Sequence, residues 1–264
     1  MPQGPSNVSR ISRRTLTKGA AWSVPVLVGA SQVAQAASSI PTCTYTVNMS
    51  AASPPTTIPG GLRFTATSGA RTVYFDVTST FNAGSPAVSP NAYNMTVGQT
   101  VMGANNVCGQ YTGTLGFQAD GLLLIQQGTT DCNTFVVPKQ TLTFTVRNAT
   151  TLAAITPTSG SITVADISSQ SVTVNPAGWR RYWDLVTFST SATRTGGTNT
   201  NALNATSGTQ FYVTNNNTGS ASTKWTDIFS FTTFPGTFTY EGRNGNTGVQ
   251  FIQLRNISFS APCV

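Results

Sequence analysis

The chain contains no histidine. That removes Ser-His-Asp and Cys-His hydrolases, His-ligated zinc and axial-His haem, and with them the commonest general base near neutral pH. Charge is scarce too. Asp, Glu, Lys and Arg make up 8% of the residues, against roughly 25% in ordinary soluble domains. A serine–lysine hydrolase lacks its local pattern: the residues three before Lys18, Lys139 and Lys224 are Thr15, Val136 and Ala221, so no Ser-x-x-Lys occurs. Cysteine pairs at metal-ligand spacing are missing, as is any Gly-rich dinucleotide or phosphate loop in a strand–turn–helix setting. No cofactor is expected. Calcium needs only oxygen ligands, but no EF-hand loop is present and no metal site is expected. Helical periodicity is nearly absent, because Gly, Pro and Asn break most of the longer runs.

Thr, Ser and Asn take the place of the missing charge. Threonine suits a pleated strand whose outer face stays polar. The hydrophobic fraction of 39% is enough for a folded core, and the apolar residues alternate. The clearest case is Leu142, Phe144 and Val146 between Thr141, Thr143 and Thr145. Similar patterns predict strands at 44–49, 73–77, 110–117, 135–137, 162–164, 172–174, 185–188, 210–213, 228–231, 238–240 and 249–259. Leu122 to Ile125 is continuously apolar, as expected of a strand covered on both faces. Pro54-Pro55, Pro59-Gly60-Gly61, Gly196-Gly197 and Asn215-Asn216-Asn217 mark turns between them. The expected fold is all-β, an antiparallel β-sandwich of Ig-like or jelly-roll-like kind. It is either one large sandwich or two small ones, with a possible sub-boundary near 149–160.

The first thirty-six residues read differently. Ser12-Arg13-Arg14-Thr15-Leu16-Thr17-Lys18 precedes a weakly apolar run from Ala20 to Val33, which ends in Ala34-Gln35-Ala36. Arginine pair, modest apolar stretch and small-x-small end together resemble a twin-arginine (Tat) export signal, with Arg13, Arg14 and Lys18 matching the motif. Leu16 and Thr17 depart from it, standing where Phe and Leu are usual. The resemblance covers the leader alone. It implies cleavage after Ala36, a mature region of 37–264, and export of an already folded chain across a bacterial inner membrane. It also implies a secreted or envelope-associated product that meets the membrane only during export. Four of the fourteen cationic residues (Arg10, Arg13, Arg14 and Lys18) lie in this leader, so the mature chain is only mildly basic. Its remaining cations are scattered, and counterion-release binding to nucleic acid needs clustered phosphate contacts. No nucleic-acid partner is expected. The C-terminal stretch holds no LPxTG-like sorting motif and no apolar span, so the expected product is free or held by non-covalent contacts.

Cys43, Cys108, Cys132 and Cys263 all follow the leader. An even number in an exported chain predicts two disulfides. Of three possible pairings, Cys43–Cys263 and Cys108–Cys132 are favoured: the first staples the ends of the mature fold, the second closes a shorter loop.

One local cluster invites a ligand. In Trp179-Arg180-Arg181-Tyr182-Trp183-Asp184, aromatic faces sit beside charge. Trp179, Arg181, Tyr182, Trp183 and Asp184 can stack on a sugar ring and bond its hydroxyls, although Trp and Tyr at a strand entrance are also common core anchors. No catalytic residue is picked out, since the seven acids show no spacing that selects a glycosidase pair. The expected function is a non-catalytic structural or interaction protein of the cell envelope, with a surface polysaccharide or another envelope protein as partner. A carbohydrate-binding module at the wall is the alternative, and a carboxylate-pair hydrolase a more distant one.

Overall fold

Alternation between apolar and hydroxyl side chains organises the whole molecule. In the strand β9 (Lys139–Asn148), Leu142, Phe144 and Val146 are buried while Thr141, Thr143 and Thr145 keep contact with solvent. The computed structural model describes residues 40–82, 93–98, 101–102, 113–114, 118–127, 137–170, 182–214, 225–243 and 249–264. Within them every regular element is a strand. Thr42–Val264 forms one compact unit; of Met1–Pro41 only Ile40 and Pro41 are described.

Eight further strands form the frame with β9. They are β1 (Thr42–Val47), β3 (Gly61–Ser68), β4 (Arg71–Phe81), β11 (Ser159–Ala165), β13 (Tyr182–Gly197), β15 (Thr226–Phe231), β16 (Thr237–Arg243) and β17 (Val249–Pro262). Hydrogen bonding runs β1-β3-β4-β9-β16-β13-β15-β11-β17, and β17 pairs back onto β1, so the ladder closes on itself. All these pairings are antiparallel. Shorter strands decorate the frame: β2 (Thr56–Ile58) on β3, β10 (Ala154–Ile155) on β9, and β12 (Ser169–Gln170) and β14 (Ser207–Phe211) on β13. β8 (Gly121–Gln127) pairs with β17 and carries β5 (Met95–Val97), while β6 (Val101–Met102) and β7 (Gly113–Thr114) pair with each other.

An odd circuit of antiparallel strands cannot alternate direction strictly, so some strand must bend. β13 and β17 supply the bends. Val186 pairs with Phe211 of β14 and Tyr240 of β16, whereas Thr193 pairs with Ser207 of β14 and Ser230 of β15. β14 therefore follows one edge of β13, and β16 and then β15 share the other. β17 does the same. Its Arg255 pairs with Gly121 of β8 and Thr163 of β11, and its Ser258 with Thr46 of β1 and Ser161 of β11. The exchange of β8 for β1 coincides with a bulge at Asn256, whose φ of 46° lies in the left-handed region. Bulges of this kind bend and twist a strand.

The two halves of the ladder pack face to face as a β-sandwich. Phe75 of β4 stacks on Phe259 of β17, centroids 5.7 Å apart, although the strands are not ladder neighbours. Phe188 of β13 touches Phe229 and Phe231 of β15 and Phe238 of β16, at 5.2, 4.9 and 5.3 Å. Leu122, Leu123, Leu124 and Ile125 are all buried, as a strand covered on both faces requires. Cys43 and Cys263 form a disulfide that ties β1 to the end of β17. Cys108 and Cys132 lie outside the described residues.

The stretch at 149–160 is a turn and return within the unit. The Asn148 side chain accepts hydrogen bonds from the backbone N–H groups of Thr150 and Thr151, and β10 then pairs back onto β9 before β11 begins. The strands expected at 110–117, 135–137 and 172–174 lie wholly or largely outside the described residues.

Candidate functional site

Of the cluster at 179–184, Trp179, Arg180 and Arg181 lie outside the described residues. For Tyr182 and Trp183 the backbone alone is placed, at the start of β13 opposite Gln170 and Ser169. Asp184 has a described side chain, and it is buried. One carboxylate oxygen accepts hydrogen bonds from the Ser168 N–H and Oγ, both at 2.9 Å, and the other accepts one from the Tyr240 hydroxyl at 2.8 Å. Asp184 of β13 is thus an internal tie to β16 and to the residue preceding β12, with both oxygens engaged by the protein itself.

Burial pushes the Asp184 carboxyl up to about 7, against the lowering effect of the Tyr240 and Ser168 hydrogen bonds. A folded-state value above the unfolded one means that the native protein keeps a proton which the unfolded chain gives up. The resulting contribution to stability falls as pH rises from 3.8 towards 7. Thermal midpoints of the wild type should therefore decline across this window more steeply than those of Asp184→Asn. Parallel profiles for the two proteins would refute the assignment.

Other acids are tied elsewhere. Asp227, fully buried, accepts from Arg194 Nε at 2.6 Å and Asn199 Nδ2 at 2.9 Å. Burial raises its carboxyl, and Asn199 and Arg194 oppose that. Glu241 faces Lys139 at 3.6 Å. Asp120 accepts from Arg255 at 3.1 Å near the surface. Among the described residues no group of three or more Cys, Asp or Glu is arranged to hold a metal ion.

A cleft of about 330 Å³ opens where β17 exchanges β8 for β1. Thr46, Val47, Asn48, Met49, Ser50, Thr67, Asp120 and Asn256 line it. Its lining mixes polar and apolar surface: hydroxyl and amide groups and the Asp120 carboxylate stand beside the buried side chains of Val47 and Met49.

The broader feature is the outer face of β1, β3, β4, β9 and β16. Register places Thr80, Thr141, Thr239 and Thr187 in one row across β4, β9, β16 and β13, and Thr78, Thr143 and Thr237 in the next. Thr141 and Thr239 share a hydrogen bond at 3.1 Å. Two mixed rows follow: Arg63, Asp76 and Thr145, then Thr65, Tyr74 and Arg147. Neighbouring strands stand about 4.8 Å apart and alternate residues about 6.7 Å apart along a strand, so the face is a regular hydroxyl lattice.

One charge centre interrupts this lattice. Asp76 accepts from Arg63 Nε at 2.7 Å, Arg63 Nη2 at 2.8 Å and Arg147 Nε at 3.0 Å. Arg147 also donates to the Leu152 carbonyl, and the Arg63 guanidinium lies over the Tyr74 ring, 4.7 Å from its centroid. Burial pulls the Asp76 carboxyl upward, but the two arginines outweigh it and hold the group below its usual range. The acid is therefore ionised throughout the working pH range, and the arginines are fixed in place. Alternation in Leu62-Arg63-Phe64, Phe75-Asp76-Val77 and Thr145-Val146-Arg147 puts these charges on the polar face. That they meet depends on strand register, which the sequence does not display.

No family model matches this chain, and no curated protein matches it. Among solved structures it is similar to the adhesin domain of PrgB from Enterococcus faecalis bound to DNA, at 9% identity and a TM-score of 0.34. That alignment covers 75% of this chain and 66% of the other. A second structure of the PrgB adhesin domain aligns at 12% identity and a TM-score of 0.35, covering 76% and 65% respectively. The chain thus spans slightly under two thirds of those domains' length. The class of protein is defined by the strands themselves: an all-β sandwich in which a disulfide links β1 to the end of β17 and whose outer face is rich in threonine.

Proposed function

We propose that the chain is an exported protein of the bacterial cell envelope that works by binding rather than by catalysis, with a surface polysaccharide as its partner. The observation that carries this reading is the outer face of β1, β3, β4, β9 and β16. It offers an ordered set of hydroxyl groups, while Asp76, Asp184, Asp227 and Glu241 are tied into the protein's own hydrogen bonds and ion pairs. Hydroxyls at fixed spacing suit a polymer whose own hydroxyls repeat, because each can donate or accept. The Tat-like leader and the Cys43–Cys263 disulfide support an extracytoplasmic, oxidising location. The test is co-sedimentation of the purified chain with insoluble envelope polysaccharide. The chain should pellet with the polysaccharide and be released by soluble fragments of it. A chain that stays in the supernatant with every envelope fraction overturns the reading.

A further inference from the structure

We propose that the Arg63–Asp76–Arg147 centre is a binding site for the carboxylate groups of an acidic, uronate-bearing polysaccharide lying across β3, β4 and β9. This deepens the binding reading above and rests on it.

Two guanidinium groups share one carboxylate, so the centre keeps an uncompensated positive charge. Guanidinium has five N–H donors. Arg63 uses its Nε and Nη2 on Asp76, and Arg147 its Nε on Asp76 and its Nη1 on the Leu152 carbonyl. Donors remain on both groups, and both side chains reach solvent, at 23% and 37% exposure. Arginine matches a carboxylate through paired, parallel hydrogen bonds. Here the geometry is fixed beforehand, by Asp76 for both groups and by the Tyr74 ring for Arg63. Pre-organised donors lose little freedom when a ligand arrives.

The surroundings select the ligand. Thr65, Thr78, Thr143 and Thr145 flank the centre within one row or one strand. A uronate residue carries a carboxylate and ring hydroxyls together, so one sugar meets a guanidinium and its neighbours meet threonine. The other charges on this part of the face, Lys139 and Glu241, pair with each other. Duplex DNA offers phosphates but no free ring hydroxyls and calls for several clustered cations, whereas this face offers one centre amid hydroxyls that the ring hydroxyls of a uronate polymer can meet.

The experiment titrates the full-length chain with polygalacturonate, neutral dextran and a duplex DNA oligonucleotide at matched ionic strength. Polygalacturonate should bind most tightly. Arg147→Gln leaves Asp76 its two bonds from Arg63 and should weaken polygalacturonate binding about tenfold or more, the loss of one charge-assisted contact. Thr143→Glu, at an exposed position facing away from the core, should weaken it by a similar factor through repulsion. Arg71→Gln removes the same charge from the exposed first residue of β4, outside the centre, and should change binding by less than about twofold. Equal losses from Arg71→Gln and Arg147→Gln mean general charge attraction and overturn the proposal, as does tighter binding of DNA. If polygalacturonate fails while neutral envelope polysaccharide still pellets the chain, this inference falls and the binding reading stands. If no polymer binds, both fall.

Discussion

Replacing Cys43 and Cys263 by serine together lowers the stability of the fold by about 5 kcal/mol, the loop-closure value for a link of this span. The two residues are 220 positions apart, so the bond closes nearly the whole folded unit into one loop. Its main effect falls on the unfolded chain, which loses the conformations in which the ends are distant. A second effect falls on the native state. β1 is only six residues long and exposes Thr42, Thr44 and Thr46, so Tyr45 and Val47 are its chief apolar anchors. Without the disulfide, β1 must hold its place between β3 and β17 by those anchors and by backbone pairing. Urea unfolding of the double variant beside the wild type measures the change. The midpoint should fall sharply, and the slope should rise because the unfolded chain expands further. A loss under about 1 kcal/mol would show that the unfolded ends already stay close.

Phe188→Ala should cost about 3–5 kcal/mol, the range for deleting a large buried aromatic ring. Phe188 sits at the centre of an aromatic cluster drawn from the strands that pair with β13. It lies against Phe238 of β16, against Phe211 of the edge strand β14, and against Phe229 and Phe231 of β15. Removing its ring leaves four aromatic neighbours facing a void between strands that are themselves hydrogen-bonded, so the walls cannot collapse to fill it. The residue also sits beside the irregular part of β13, where pairing with β14 skips between Thr187 and Ala192. Loss of packing there loosens the irregular stretch over which β13 exchanges β16 for β15. Denaturant unfolding followed by circular dichroism tests this, and a cost below about 1.5 kcal/mol would mean that the site repacks.

The strands legible in the sequence are those in which large apolar residues alternate with threonine. β4, β9, β11, β15, β16 and β17 lie where Val73 to Val77, Leu142 to Val146, Ile162 to Val164, Ile228 to Phe231, Phe238 to Tyr240 and the 249–259 run placed them. β3 was the main omission. Its alternation of Leu62, Phe64 and Ala66 is masked by Pro59-Gly60-Gly61, which reads as a turn. Gly60 does turn, with a φ of 76°. Gly61 is already in the strand, packed so close to the Val77 carbonyl that a side chain would collide with it. The far half of β13 was hidden for another reason: Ser189 to Gly197 has no large apolar residue, and its place is fixed by pairing with β14 and β15. Candidate sites were harder to read. A compact aromatic stretch draws attention in one dimension, yet the Asp184 side chain turns inward to Tyr240. Arg63, Asp76 and Arg147 stand far apart in sequence and meet only when β3, β4 and β9 align. Pairwise register is a property of the folded sheet, and a single chain read in order does not reveal it.

The joining of β1 to β17 also decides how the molecule answers to tension. Thr42 pairs with Pro262, so the N-terminal end of β1 lies beside the C-terminal end of β17. A pull on the chain outside these residues would load the pair in peeling geometry, breaking one rung at a time, the weakest way to strain a sheet. The Cys43–Cys263 bond sits at the mouth of that peel. Force entering before Cys43 and leaving after Cys263 passes through two sulfur atoms and bypasses the sandwich. The folded unit then behaves under load as an inextensible link: it keeps its length, and its outer face keeps its shape, until the covalent bond itself is reduced.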